Sequence, residues 1–260
     1  MYKKRFVGFV LIFTVCILNV GQAYASSYNV SLLDDKIIEI ESPQYGSNMR
    51  IMVEKDSDVY YYSLKNANEH IPVQLGAGTY IVKILQNVEG NKYKVIEKSN
   101  LNINNDNLDV FLSSSQPVYW NEVKSVIELG NEIVKDSSSE LGKVEAIYNY
   151  VVENIKYDNY KMSVIPDDYV PDLGKILQDK KGICYDYSAL FAGLLRSQGI
   201  YTKLVKGYKN DIEEYHAWNE VLLDDKWVII DTTYDAALFR GNRNLSMIKS
   251  SSEYNKIREY

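Results

Sequence analysis

The sequence predicts an α+β chain in two parts: a small all-β, sandwich-like unit, then a unit of helices followed by an antiparallel sheet. Three observations carry this. Residues 28 to about 113 offer short β-branched and Tyr-rich runs broken by Gly, Asn and Pro. Past Pro117 the apolar residues take up a helical period. Beyond residue 200 strand-like runs return, separated by turn residues.

The first 25 residues are set aside from the fold. Lys3, Lys4 and Arg5 precede an almost wholly apolar stretch from Phe6 to Val20, and Ala23-Tyr24-Ala25 follows. That is the pattern of a secretory signal peptide cut before Ser26, which places the chain in the secreted or cell-surface class. The apolar stretch is short for a membrane span, which needs roughly 20 residues. No stable span is expected after cleavage; an uncleaved anchor is the alternative. Cys16 sits inside the apolar run behind bulky Val15, unlike a lipoprotein cysteine.

Losing Lys3, Lys4 and Arg5 would take the net charge from −6 to −9. An acidic chain is a poor nucleic-acid partner, since phosphate binding needs clustered Lys and Arg. Cleavage would also leave Cys184 as the sole cysteine, so no internal disulfide can form. Two histidines and one cysteine far apart show no zinc-ligand spacing. No metal and no cofactor is expected.

Residues 26–113 form the β-rich accessory domain. Lys36 to Glu41, Met49 to Glu54, Val59 to Leu64, Gly78 to Leu85 and Lys92 to Ile96 are its strands. His70 stands before Ile71-Pro72 and reads as structural or solvated. Residues 114–118, with Ser113 before them, read as a linker.

Residues 119–260 form the second domain. Val123, Val126, Ile127, Ile133 and Val134 predict a helix over about 121 to 135. Ser137-x-x-Glu140 matches a capping box opening a helix with Val144, Tyr148, Val151 and Ile155 on one face. Asp167, Asp168 and Pro171 belong to a loop, and a short helix follows Asp172. The next helix begins near Cys184, buries Leu190, Phe191, Leu194 and Leu195, and stops at Gly199. Strands are expected over 202–207, 216–223 and 226–232, with Asp224-Asp225 as a turn. The polar tail from Ser250 reads as a terminal helix or a frayed end.

Cys184 is the candidate nucleophile. At a helix start it faces unpaired N–H groups and the positive end of the helix dipole, which favour a thiolate. The same N–H groups suit an oxyanion. If Leu223 pairs with Lys226, His216 lies opposite Thr233, and Asp231 is a diagonal neighbour on the same face, roughly 7–8 Å away. Asp231 would orient the imidazole of His216 and leave its other nitrogen for Cys184. Each residue alone has a plainer explanation: a packed thiol, a structural His, a strand-ending Asp. Trp218 and Trp227 read as core or groove-wall aromatics. The conjunction of the three residues points to thiol chemistry.

Lys181-Gly182-Ile183-Cys184-Tyr185-Asp186-Tyr187, Val205-Lys206-Gly207-Tyr208, His216-Ala217-Trp218-Asn219-Glu220 and Trp227-Val228-Ile229-Ile230-Asp231-Thr232-Thr233 together resemble the transglutaminase-like superfamily. One departure is mild: Thr232 stands where the bacterial pattern usually has Pro. The resemblance implies a papain-like fold over 119–260, Cys184 as nucleophile, His216 as general base and acid, and Asp231 as its orienter. It implies attack on a protein or peptide amide to give a thioester. Water or amine as acceptor, hydrolase or acyltransferase, is left open, and Gln178 is a weak candidate for a second oxyanion donor. The alternative is a catalytically silent fold serving as an extracellular binding or structural module.

Overall fold

The computed structural model describes residues 27–239 and 246–260. The expected signal peptide lies outside the described residues. Among these residues the N-terminal part holds two sheets. One has three strands in the order β1-β2-β5, with β1 Asn29–Leu33, β2 Ile37–Glu41 and β5 Asn68–Pro72. The other has four in the order β4-β3-β6-β7, with β3 Met49–Lys55, β4 Asp58–Ser63, β6 Gly78–Glu89 and β7 Lys92–Ile103. Alternation sends Ile38, Ile40 and Ile71 from the first sheet, and Ile51, Val53, Val82 and Ile84 from the second, into one apolar cluster. This is a sandwich, as the short β-branched runs predict.

The C-terminal part opens with α1 Lys124–Val134 and α2 Glu140–Asn154. The cap of α2 is Ser139, whose hydroxyl accepts from the Gly142 N–H, and not Ser137. Three serines in a row left the match to Glu140 ambiguous, and the backbone chose the last of them. Then come β8 Lys156–Tyr157, α3 Asn159–Val164, α4 Leu173–Asp179, β9 Lys181–Gly182 and α5 Cys184–Ser197. Helix α3 buries none of its residues, so no apolar period announces it. The rest is β10 Thr202–Lys209, β11 Ile212–Leu223, β12 Lys226–Ile230, α6 Thr232–Phe239, β13 Ile248–Lys249 and β14 Tyr254–Glu259.

The five-stranded sheet runs β13-β12-β11-β10-β14, and α5 packs across it. Leu190 and Leu194 of the helix share a core with Leu204, Val221 and Ile230 of the strands. Asn219 of β11 fixes that contact by donating to Ser188 O on α5 and to Lys203 O on β10, both at 3.0 Å. The expected turn is present: Asp224 and Asp225 both have positive φ, and Leu223 pairs with Lys226. The tail is not frayed: one 3₁₀ turn at Ser251–Glu253 leads into a strand. It is edge strand β14, paired with β10 from Val205↔Glu259 to Lys209↔Tyr254. Gly207 permits this, since a Cβ there would run into the backbone oxygen of Asn255.

Residues 114–118 are a packed junction and not an exposed tether. Gln116 is buried, and its amide pairs with the backbone of Ser63 like one more strand, accepting at 2.8 Å and donating at 3.0 Å. The Arg196 guanidinium, also buried, donates to Ser113 O, Thr202 O and Tyr260 O. Tyr260 in turn meets the edges of Tyr60 and Tyr62 in the β-domain, at centroid distances of 5.5 and 5.9 Å. No helix among the described residues is long and apolar enough to cross a membrane.

Candidate active site

Cys184 occupies the first position of α5 and is half-buried. Two features hold that helix start. Gly182 leaves room where a Cβ would collide with the Asp186 side chain. Asp186, fully buried, then accepts from the Ile183 N–H at 2.9 Å and so caps the helix from within its first turn. Asp186 is itself held by Tyr169 at 2.5 Å and by Lys161 at 2.6 Å. A buried carboxylate is tolerated there because both oxygens accept hydrogen bonds and an ammonium pairs with it.

His216 comes from β11 and Asp231 from the turn after β12. The ladder holds the expected register from Leu223↔Lys226 to Asn219↔Ile230 and then ends. The chain leaves the sheet into α6, so His216 is not paired with Thr233. Asp231 meets His216 from the start of this helix and not as a diagonal neighbour across a continuing ladder. The result is closer contact: His216 Nε2 lies 2.8 Å from Asp231 Oδ2. The remaining ring nitrogen, Nδ1, is left for Cys184, which lines the same groove and acts on the charge of the imidazole.

Asp231 is fully buried and accepts three donors. Oδ2 takes His216 and, at 3.1 Å, the Tyr254 hydroxyl; Oδ1 takes the Tyr234 N–H at 3.0 Å. Tyr254 comes from β14, the strand that the sequence hid. Trp218 is core, as expected. It stacks on His216 at 6.3 Å and leans on Tyr254 at 5.0 Å, closing one face of the pair to water.

Burial works against a charged imidazole, but Asp231 and Cys184 outweigh it and push His216 up to about 10. This fixes a sign for stability. A raised folded value means the stabilisation is full below the unfolded value of about 6.5 and is lost as pH climbs through about 10. Urea midpoints measured from pH 6 to 10 are therefore expected to fall across that window. The His216→Gln variant should flatten the fall; an equal slope in both proteins would exclude His216 as its source.

Cys184 and His216 line a groove of about 420 Å³, while Asp231 is buried behind His216 and does not reach it. Its lining residues all belong to the stretch from Tyr157 to Ala237, so the β-domain does not roof it. Tyr157 contributes a phenol that burial, then Cys184 and Glu214, push up to about 12, keeping it a hydrogen-bond donor at neutral pH. Nothing in the sequence singled Tyr157 out. Gln178 is exposed on α4 and is not part of the groove. His70 lies in the β-domain, 3.5 Å from Glu39, away from this site.

Residues 127–232 match the profile of the transglutaminase-like superfamily. The mouse kyphoscoliosis peptidase is 28% identical over 121 residues, which are 43% of this chain and 18% of that protein. The chain thus spans about a fifth of the curated relative it matches. Among solved structures, a candidate cysteine protease from Cytophaga hutchinsonii superposes with a TM-score of 0.47 and 15% identity, over 90% of this chain and 72% of that one. The periplasmic domain of TgpA from Pseudomonas aeruginosa gives 0.41 and 14%, over 76% and 93%. The matched stretch runs from within helix α1 to the start of α6, and over it the chain is similar to the transglutaminase-like superfamily.

Proposed function

We propose that this chain is a thiol-dependent enzyme attacking protein or peptide amides, with Cys184 as nucleophile, His216 as acid and base, and Asp231 as the orienter of His216. The observation that carries the reading is one imidazole bonded at Nε2 to a buried carboxylate and sharing an open groove with a cysteine at a helix start. The kinship with a peptidase supports the same class.

The chemistry follows from those contacts. The Cys184 thiolate adds to the amide carbon, forming the C–S bond and moving the π electrons onto oxygen. The α5 N-terminus and the Tyr157 hydroxyl are the donors nearest that oxyanion. The adduct collapses, the C–N bond breaks, and His216 gives its Nδ1 proton to the departing amine. A thioester remains. Water or an amine then attacks it, His216 takes the proton, and the thiolate leaves. Asp231 keeps the ring in one orientation throughout. We propose secretion as well, on the N-terminal pattern of Lys3 to Ala25.

The test is incubation of the chain lacking residues 1–25 with a panel of glutamine-containing proteins, with and without a labelled primary amine. Cys184-dependent incorporation of the amine means acyl transfer. Cleavage or ammonia release without incorporation means hydrolysis. Silence across the panel, in folded protein whose Cys184 reacts no faster with iodoacetamide than an unfolded thiol, overturns the enzyme reading in favour of a binding module.

A further inference from the structure

Lys206 is a half-buried ammonium with no carboxylate partner among the described residues. It lies on β10 opposite Ala217 of β11. Side chains alternate along a strand, so Leu204 and Lys206 point to the same face as Ala217 and Asn219. That is the face against α5, because Asn219 donates to Ser188 O of the helix. The lysine stem therefore runs beneath the start of the nucleophile helix. Its Nζ lies 3.3 Å from the ring centroid of Tyr185, the residue after Cys184, and 5.4 Å from that of Tyr260.

Structural reasons alone do not account for a cation here. The α5 N-terminus is the positive end of the helix dipole and repels it. Burial penalises an unpaired charge, and contact with an aromatic face returns only about 0.5–2 kcal/mol. Burial accordingly pushes Lys206 down to about 8, and Cys184 is the group that works in the opposite direction. Coupling between two sites is reciprocal. If the Cys184 thiolate helps Lys206 keep its proton, the ammonium helps Cys184 lose one.

The surroundings leave that partnership uncontested. Facing Cys184 are His216 from β11 and Tyr157 from β8, while Asp186 of its own helix is already paired with Lys161. On the other side, Lys206 lines a pocket of about 130 Å³ between the β-domain and the body. Arg50, Tyr62 and Tyr169 share it; the Arg50 guanidinium donates to Ser47 O and Met49 O, and Asp167 at the rim is exposed. Arg258, the Cα partner of Lys206 on β14, turns instead to Asp58 of the β-domain.

We infer that Lys206 is a second cation of the nucleophile site, stabilising the Cys184 thiolate from beneath Tyr185 while His216 does so from the groove. It touches no substrate and acts through Cys184, so it is a positioning residue. The inference rests on Cys184 being the nucleophile. The β-domain borders this cation, since Arg50 and Tyr62 line the same pocket as Lys206.

The test needs no substrate. The full chain is alkylated at Cys184 with iodoacetamide, which is neutral, and with iodoacetate, which is anionic, at one pH and ionic strength. A nearby cation speeds both and favours the anion. Lys206→Met is expected to slow alkylation about three- to tenfold and to lower the iodoacetate-to-iodoacetamide ratio about twofold or more; Lys206→Arg should restore the ratio. Unchanged rates and ratio in folded Lys206→Met overturn the inference. Should that variant not fold, side-chain NMR of nitrogen-labelled lysine decides. The Lys206 titration should move to lower pH in Cys184→Ala, and an unmoved titration overturns the inference. Fast alkylation indifferent to Lys206 removes this inference alone, whereas slow alkylation in the unaltered protein removes the enzyme reading itself.

Discussion

Replacing Cys184 with alanine is expected to lower turnover by on the order of 10⁴- to 10⁶-fold, the loss typical when a catalytic nucleophile is removed. The fold should survive. Cys184 is only half-buried, so trimming its sulfur removes little packed volume. The variant should therefore unfold close to the parent in urea while labelled-amine incorporation or amide cleavage disappears. Activity persisting within tenfold of the parent would mean that another group makes the bond to the acyl carbon.

The second large effect concerns Asp231. Asp231→Ala leaves three buried donors without an acceptor: His216 Nε2, the Tyr254 hydroxyl and the Tyr234 N–H. Breaking a buried charge pair from one side typically costs about 3–5 kcal/mol, so a large drop in the urea midpoint is expected. Turnover should fall by roughly 10⁴-fold, because the ring loses what fixes its orientation. Asp231→Asn separates the two effects. Its amide oxygen can still accept, which should recover much of the stability, while the charge that favours the imidazolium is gone. A fully active Asp231→Asn would show that the carboxylate serves packing at the start of α6 and not His216.

The parts of the site that could be read from the sequence are those whose neighbours lie close along the chain. Cys184 announces itself because Gly182 and an apolar-periodic helix bracket it. The Asp224-Asp225 turn sets the ladder as far as Asn219↔Ile230; His216 and Asp231 lie just past its end, so the count brings them near each other but not into the contact they make. What was hidden depends on distant or polar partners. Strand β14 is a sheet edge with five of its six residues polar or charged, so it carries no apolar alternation, and with it Tyr254 went unseen. Lys206 sits in a strand at an inward position, where a charge reads as a break in the pattern. Tyr157 belongs to a two-residue strand too short to show any period. Residues 114–118 look like a tether because Ser and Pro are turn formers. Only the three-dimensional pairing of Gln116 with Ser63 reveals a seam.

The late position of β14 has a consequence for the living cell. Residues 254–260 are synthesised after every other group described at the site. Before they leave the ribosome, Asp231 lacks the Tyr254 hydroxyl, Lys206 lacks the Tyr260 ring, and Tyr60 and Tyr62 have nothing to close upon. The buried carboxylate and the lysine under α5 thus gain these aromatic partners only when β14 docks, after the rest of the sheet has been made.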